Sequence, residues 1–181
     1  KYRSRNSNSN REKILLVLGL CNRYAEHADS MPVSKQWLEY LNDQFEFCEN
    51  LATDLRKYLL VRLFPNDYGW NQSGRWQDRF PEIELDDLNR PISESISKSR
   101  VYLSTYNATT YLESFSMNVP TIMFWNPNHW ELREPVKKSF VELQRVKIFH
   151  KNPKSAAKHI EKIWPNVDEW WESYELQSII K

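Results

Sequence analysis

Glycine is scarce in this chain, with three residues among 181, which leaves little room for a glycine-rich nucleotide loop of the usual kind. Cysteine is scarcer still. Cys21 and Cys48 lie far apart, show no metal-ligand spacing, and point to a reduced, cytosolic setting with idle thiols. No charge of either sign dominates: 25 basic against 24 acidic residues give a formal charge of +1. A phosphate backbone is bound through clustered surplus positive charge, so a general nucleic-acid surface is excluded. Long apolar runs are absent too. The longest, residues 14–18, is strand-sized and far short of the ~20 residues that span a bilayer.

The first twelve residues are polar, without the apolar stretch of a signal peptide, and residues 4–10 read as a flexible linker. The lack of an initial Met adds the expectation of a chain cut from a longer protein, with 1–12 as linker and 13–181 as one domain. That length buries most of its apolar surface around a single core without disulfides. What is plentiful is aromatic: eight Trp and nine Tyr.

Residues 13–18 (KILLVL), 58–64 (YLLVRLF), 100–104 (RVYLS) and 120–125 (PTIMFW) are continuous apolar runs, with weaker ones at 83–85 and 148–150. Such runs mark strands covered on both faces. Between them, Trp37, Leu38, Leu41, Phe45 and Cys48 recur at helical spacing behind a capping Ser34, and residues 51–55 are a possible continuation. Pro91 opens a short helix, Asn107 caps one over 108–117 with Asn118 as its left-handed end, and 130–146 reads as another with Pro135 in its first turns. Pro153 opens the next, and 167–180 reads as a final amphipathic helix. Residues 66–81 are expected to form a long, lid-like loop. Strands alternating with helices predict an α/β fold: a doubly wound, Rossmann-like parallel sheet of about six strands. Ligands of such sheets bind at the strand carboxyl ends, which draws attention to residues 19–23, 65–70, 105–110 and 126–129.

The segment STYNATTYLESFSMNVP (104–120) runs from a strand through a polar turn into a helix. Amides at that helix start favour a phosphate, and Thr105, Asn107, Thr109 and Thr110 add polar groups beside it. Glu113 follows Thr110 by nearly one turn. Its carboxylate can accept two hydrogen bonds from a ribose diol, or serve the helix as a first-turn acid.

Residues 107–122 (NATTYLESFSMNVPTI) resemble the strand–turn–helix–strand segment in the carboxyl-terminal domain of GT-B glycosyltransferases, including the enzyme that adds N-acetylglucosamine to the lipid-linked peptidoglycan precursor. Thr110, Glu113 and Pro120 match that family's threonine, ribose-binding glutamate and proline, while Asn107 and Asn118 stand where it has glycines. A broader stretch, 13–171, resembles bacterial transferases assigned to surface-carbohydrate biosynthesis, through LLVRLFPNDYGW, STYNATTYLES, FWNPNHWELR and WPNVDEWW. The resemblance implies a nucleotide-activated sugar as donor, no further cofactor and a surface-polysaccharide acceptor such as a lipopolysaccharide or capsule precursor. It also implies a cytoplasmic enzyme at the inner face of the membrane. Its catalytic base would come from an amino-terminal domain, so the isolated chain is expected to bind without turnover. A sugar-nucleotide epimerase shares this architecture, and a non-enzymatic α/β interaction module is the third reading.

Arg62, at the end of an apolar strand, either salt-bridges or points into the cleft to neutralise leaving-group charge. Asn126 and His129 follow the 120–125 strand, His129 being a candidate acid, base or sugar ligand and equally a surface residue. Trp125 and Trp130 either stack on a ring of the ligand or belong to the core. His27, His150 and His159 have no partners at metal spacing, so no metal is expected.

Overall fold

The structure, a computed structural model, describes residues 11–20, 22–23, 32 and 35–180. Cys21, His27, the capping role of Ser34 and most of the 1–12 linker lie outside the described residues. Six strands pair in parallel: β1 (Ile14–Val17), β2 (Leu59–Arg62), β3 (Glu84–Leu85), β4 (Val101–Ser104), β5 (Thr121–Phe124) and β6 (Phe149–His150). Their order is β3-β2-β1-β4-β5-β6. The chain runs outward from β1 to β3, returns across the sheet, and resumes at β4, so β1 and β4 flank the topological switch. Both edge strands have only two residues, which limits the unpaired backbone they present.

Side chains alternate across the pleat. Ile14, Leu16, Val61 and Leu103 enter the larger core, which α1 (Lys35–Asn50) and α7 (Pro153–Ile163) cover together. Leu15, Val17 and Tyr102 enter a smaller core with Ile96 of α4 (Ile92–Lys98) and Val119, just beyond α5 (Thr110–Ser116). The larger cluster also takes in Phe140 and Leu143 of α6 (Glu134–Arg145). A doubly wound α/β fold follows as the sequence predicted. Among the described residues no helix is long and apolar enough to cross a membrane.

Several local expectations are corrected. Residues 51–55 do not simply extend α1; a separate short turn, α2 (Thr53–Arg56), follows it. The supposed lid over 66–81 contains α3 (Gln72–Arg79). The carboxylate of Asp67 accepts the backbone N–H groups of Asn71 (2.7 Å) and Gln72 (2.6 Å), while Asn71 takes a left-handed conformation. Trp76 then anchors the helix, packing edge-on against Phe45 of α1 at 5.0 Å. The helix expected over 108–117 begins at Thr110, because Asn107 turns its Oδ1 toward the Tyr111 hydroxyl (3.5 Å) and the Thr109 cap makes no side-chain bond. Likewise α6 starts only at Glu134, since the Asn126 Oδ1 accepts the Asn128 N–H (3.0 Å) and folds the preceding residues into a turn. The closing helix is two: α8 (Val167–Trp171) and α9 (Tyr174–Ile180). At the break the Gln177 side chain donates to the Trp171 carbonyl (2.8 Å).

Candidate functional site at the strand carboxyl ends

Where β1 and β4 diverge, a chain of hydrogen bonds closes the crevice. The Gly19 N–H donates to the Tyr40 hydroxyl (2.8 Å), Tyr40 donates to the Thr105 Oγ1 (2.5 Å), and Thr105 donates to the Val17 carbonyl (2.7 Å). The direction is fixed because the Val17 carbonyl can only accept and the Gly19 amide can only donate. Each hydroxyl is polarised by its neighbour in such a chain. Burial holds the Tyr40 hydroxyl far above its ordinary pKa, against the opposing hydrogen bond of Thr105, so it stays neutral. Thr105 is fully buried and spent on this seam, and the Gly19 amide is spent with it.

Arg62 does not stand open in the cleft. It is 8 % exposed, pairs with Asp86 at 2.9 Å, and donates to the Arg90 carbonyl (2.9 Å) and the Ser95 hydroxyl (3.3 Å). A buried guanidinium needs these partners to offset its lost hydration, and they tie β2 to the segment leading into α4 and to α4 itself. Arg23, in the loop after β1, donates to the Gly69 carbonyl (3.0 Å) and lies over the Trp70 ring.

The turn after β4 brings other candidates together. Thr109 is exposed at the start of α5, and Glu113 one turn later is exposed with no ion pair among the described residues. The Tyr102 hydroxyl donates to the Thr110 Oγ1 (2.8 Å), and Thr110 in turn hydrogen-bonds the Tyr106 hydroxyl. Tyr106, which sequence reasoning passed over, sits among them. Burial raises its hydroxyl pKa, Thr110 opposes through a hydrogen bond, Glu113 adds to the rise and Arg62 works against it. Thr110, Glu113 and Arg62 thus all act on one tyrosine. No periodicity distinguishes Tyr106 from a core aromatic; only its place just past a strand end offered a signal.

Beyond β5 the half-buried Asn126 builds its own turn. His129 is no surface residue: its side chain is 4 % exposed and its Nε2 lies 3.3 Å from the Glu39 carboxylate on α1. Asp43, one turn further along α1, is pushed up to about 6, chiefly by burial, with His129 opposing and Glu46 and Glu39 reinforcing. His129 lines a cavity of about 940 Å³ that also takes in Gln36, Asn107, Tyr111 and Asn128. Asn107 and His129, from the turns after β4 and β5, therefore share one hollow at the carboxyl side of those strands. Amide, imidazole and phenol groups around a hollow suit a hydroxyl-rich ring.

The family model described as LIC12162 family transferase matches residues 1–181. No curated protein and no solved structure matches the chain at a significant level.

Proposed function

The chain belongs to the LIC12162 family of transferases, and we propose that it binds the nucleotide-activated sugar for a glycosyl transfer onto a surface-polysaccharide precursor. The observation that carries this is the α5 entrance: beside the β1–β4 switch, Glu113 presents an exposed carboxylate, unpaired among the described residues, one turn from the Thr109 and Thr110 hydroxyls. Glu113 takes the ribose diol as a double acceptor, Thr109 donates to the phosphates, and Thr110 does so by turning its hydroxyl away from Tyr106. Asn107, Asn126 and His129 lie toward the sugar, in or beside the polar cavity. Arg62 contributes at a distance, through its charge, while its guanidinium is held by Asp86, Ser95 and Arg90. Resemblance supplies the surface-carbohydrate part of the proposal and the cytoplasmic side of the membrane as its setting.

Calorimetry with uridine, cytidine and guanosine diphosphates tests the site. One base should bind, and Glu113→Ala should weaken it by about tenfold or more, since hydrogen bonds to a charged group contribute about 1.5–3 kcal/mol. No binding by any of the three, or equal binding by the variant, rules the site out.

A further inference from the structure

Charge is unevenly placed along this chain. Residues 137–162 carry eight basic residues against two acidic ones, a net charge of +6, while the rest of the chain holds 17 basic against 22 acidic. The span covers most of α6, all of β6 and nearly all of α7, so the surplus lies along the β6 edge of the sheet. The opposite edge is acidic: residues 82–87, around β3, hold four acids and no base, with Lys13 and Arg62 offsetting two of them. Of the eight cations at the β6 edge, only Lys137 and Arg145 stand in ion pairs among the described residues, with Glu134 and with Glu142 and Glu175. Lys138, Lys147, Lys151, Lys154, Lys158 and Lys162 are exposed.

Lys154, Lys158 and Lys162 recur every four residues, which aligns them for ~12 Å along the outer face of α7, opposite the buried Ala156, Ala157 and Ile160. Lys147 joins one end of this row, lining a hollow with Lys162, and Lys151 lies at the other end, two residues before the helix. The nearby acids are drawn aside. Glu161, the one acid of α7, accepts the Ala52 N–H (2.7 Å), and Glu169 is held by the Asn166 amide (2.6 Å). On α1, which packs against α7, Glu39 meets His129 and Glu49 meets Arg79. Like charges one turn apart repel each other, so the row is unfavourable in the free protein and favourable against an anionic partner. We propose that the β6 edge docks on an anionic phospholipid surface. Lysine suits that partner: its compact charge acts through a diffuse field, whereas nucleic acid and carboxylate recognition favours the planar fork of arginine. Val141, 61 % exposed and sharing a hollow with Lys151, adds apolar surface. Tyr174, 85 % exposed between two residues that line the hollow of Lys147 and Lys162, adds an aromatic ring of the kind that sits at headgroup level. A uniformly negative plane attracts this edge and repels the β3 edge, which sets the orientation. Docked in this way, the carboxyl-end crevice opens along the lipid surface. The inference stands on charge placement and is independent of the nucleotide site.

Co-sedimentation of the full chain with vesicles tests this, with no nucleotide present. One set is phosphatidylcholine alone; the other contains about one third phosphatidylglycerol. The chain should pellet with the anionic vesicles at about 50 mM salt and be released by about 300 mM, as screening shortens the field. Lys158→Gln and Lys162→Gln should each weaken partitioning about fivefold, and together multiplicatively. Arg90→Gln with Lys98→Gln removes the same charge from exposed positions lining a hollow on the β3 side, and should change partitioning by less than about twofold. Equal losses in the two double variants would mean that net charge alone acts, and overturn the assignment to this edge. Equal pelleting with neutral vesicles, or none with anionic ones, overturns the docking itself. A single-stranded RNA oligomer that binds more tightly than the anionic vesicles at the same salt overturns the choice of lipid as partner.

Discussion

Partial burial beside other acids is an unfavourable position for a carboxylate, and Asp43 occupies one. Its pKa is raised to about 6, first by burial and then by Glu46 and Glu39 against the opposing His129. In the unfolded chain the same group titrates near 3.9. Between those values the folded protein holds the extra proton, so stability falls as pH rises through about 4 to 6, and the penalty is complete above that window. Asp43→Asn removes it. The variant should gain at pH 7.5, by about 1 kcal/mol once solvent screening on the open side is counted, and gain nothing at pH 3.5. Urea midpoints at the two pH values decide the matter: a gain of the same size at both has another origin. A different residue balance holds at Arg62, whose three partners leave it satisfied, so its burial carries no comparable penalty.

At the scale of elements, the joint between α5 and β5 turns on Asn118. It adopts φ 53° after the helix, a left-handed conformation that Gly and Asn accept at low cost and most residues do not. Asparagine thus stands where the resemblance expects glycine, in a conformation that glycine also accepts. Asparagine adds something glycine lacks: its Oδ1 accepts the Trp171 indole N–H (2.8 Å) and the Gln177 amide (3.2 Å), fastening α8 and α9 to this joint. Asn118→Ala loses the backbone fit and strands a buried donor, for about 2–3 kcal/mol in all; Asn118→Gly loses the side-chain bonds alone and should cost less. Equal losses in chemical denaturation would show that the conformation contributes nothing. The same elements show what can be read from residue order. Apolar runs marked β1, β2, β4 and β5 because these strands are buried on both faces or nearly so, and Asn118 was legible because its chemistry is local. By contrast α3 has one apolar anchor, Trp76, and a cap supplied from Asp67 outside it, so no periodic pattern revealed it. The Tyr40–Thr105 seam joins residues 65 apart, and the Arg62–Asp86 pair depends on how β2 and β3 align. Neither is encoded by spacing.

Across the molecule, the balance of buried titratable groups sets how it meets acid. His150, in the edge strand β6, is lowered to about 4, chiefly by burial, with the Lys147 carbonyl opposing and the Lys147 charge adding. His159 of α7 is lowered to about 3 by burial, then by His150, Lys147 and Lys162. The rings lie 5.4 Å apart, and His159 meets Trp170 edge-on at 5.0 Å, so strand, helix and carboxyl-terminal segment converge on this pair. Both histidines remain neutral in the fold, whereas in the unfolded chain they take up protons below about 6.5. Their contribution is therefore intact above that value and is lost as pH falls toward about 4 and about 3. Asp43 changes in the opposite sense over part of the range, but one half-buried carboxylate opposes two histidines, and the fold should weaken on acidification from the β6 edge. His159→Phe keeps a flat ring against Trp170 and discards the titration. It should match the parent at pH 7.5 and exceed it at pH 5 by about 1 kcal/mol after screening. Urea denaturation at pH 7.5, 6, 5 and 4 provides the check, and parallel losses in parent and variant would clear His159 of any part in acid unfolding.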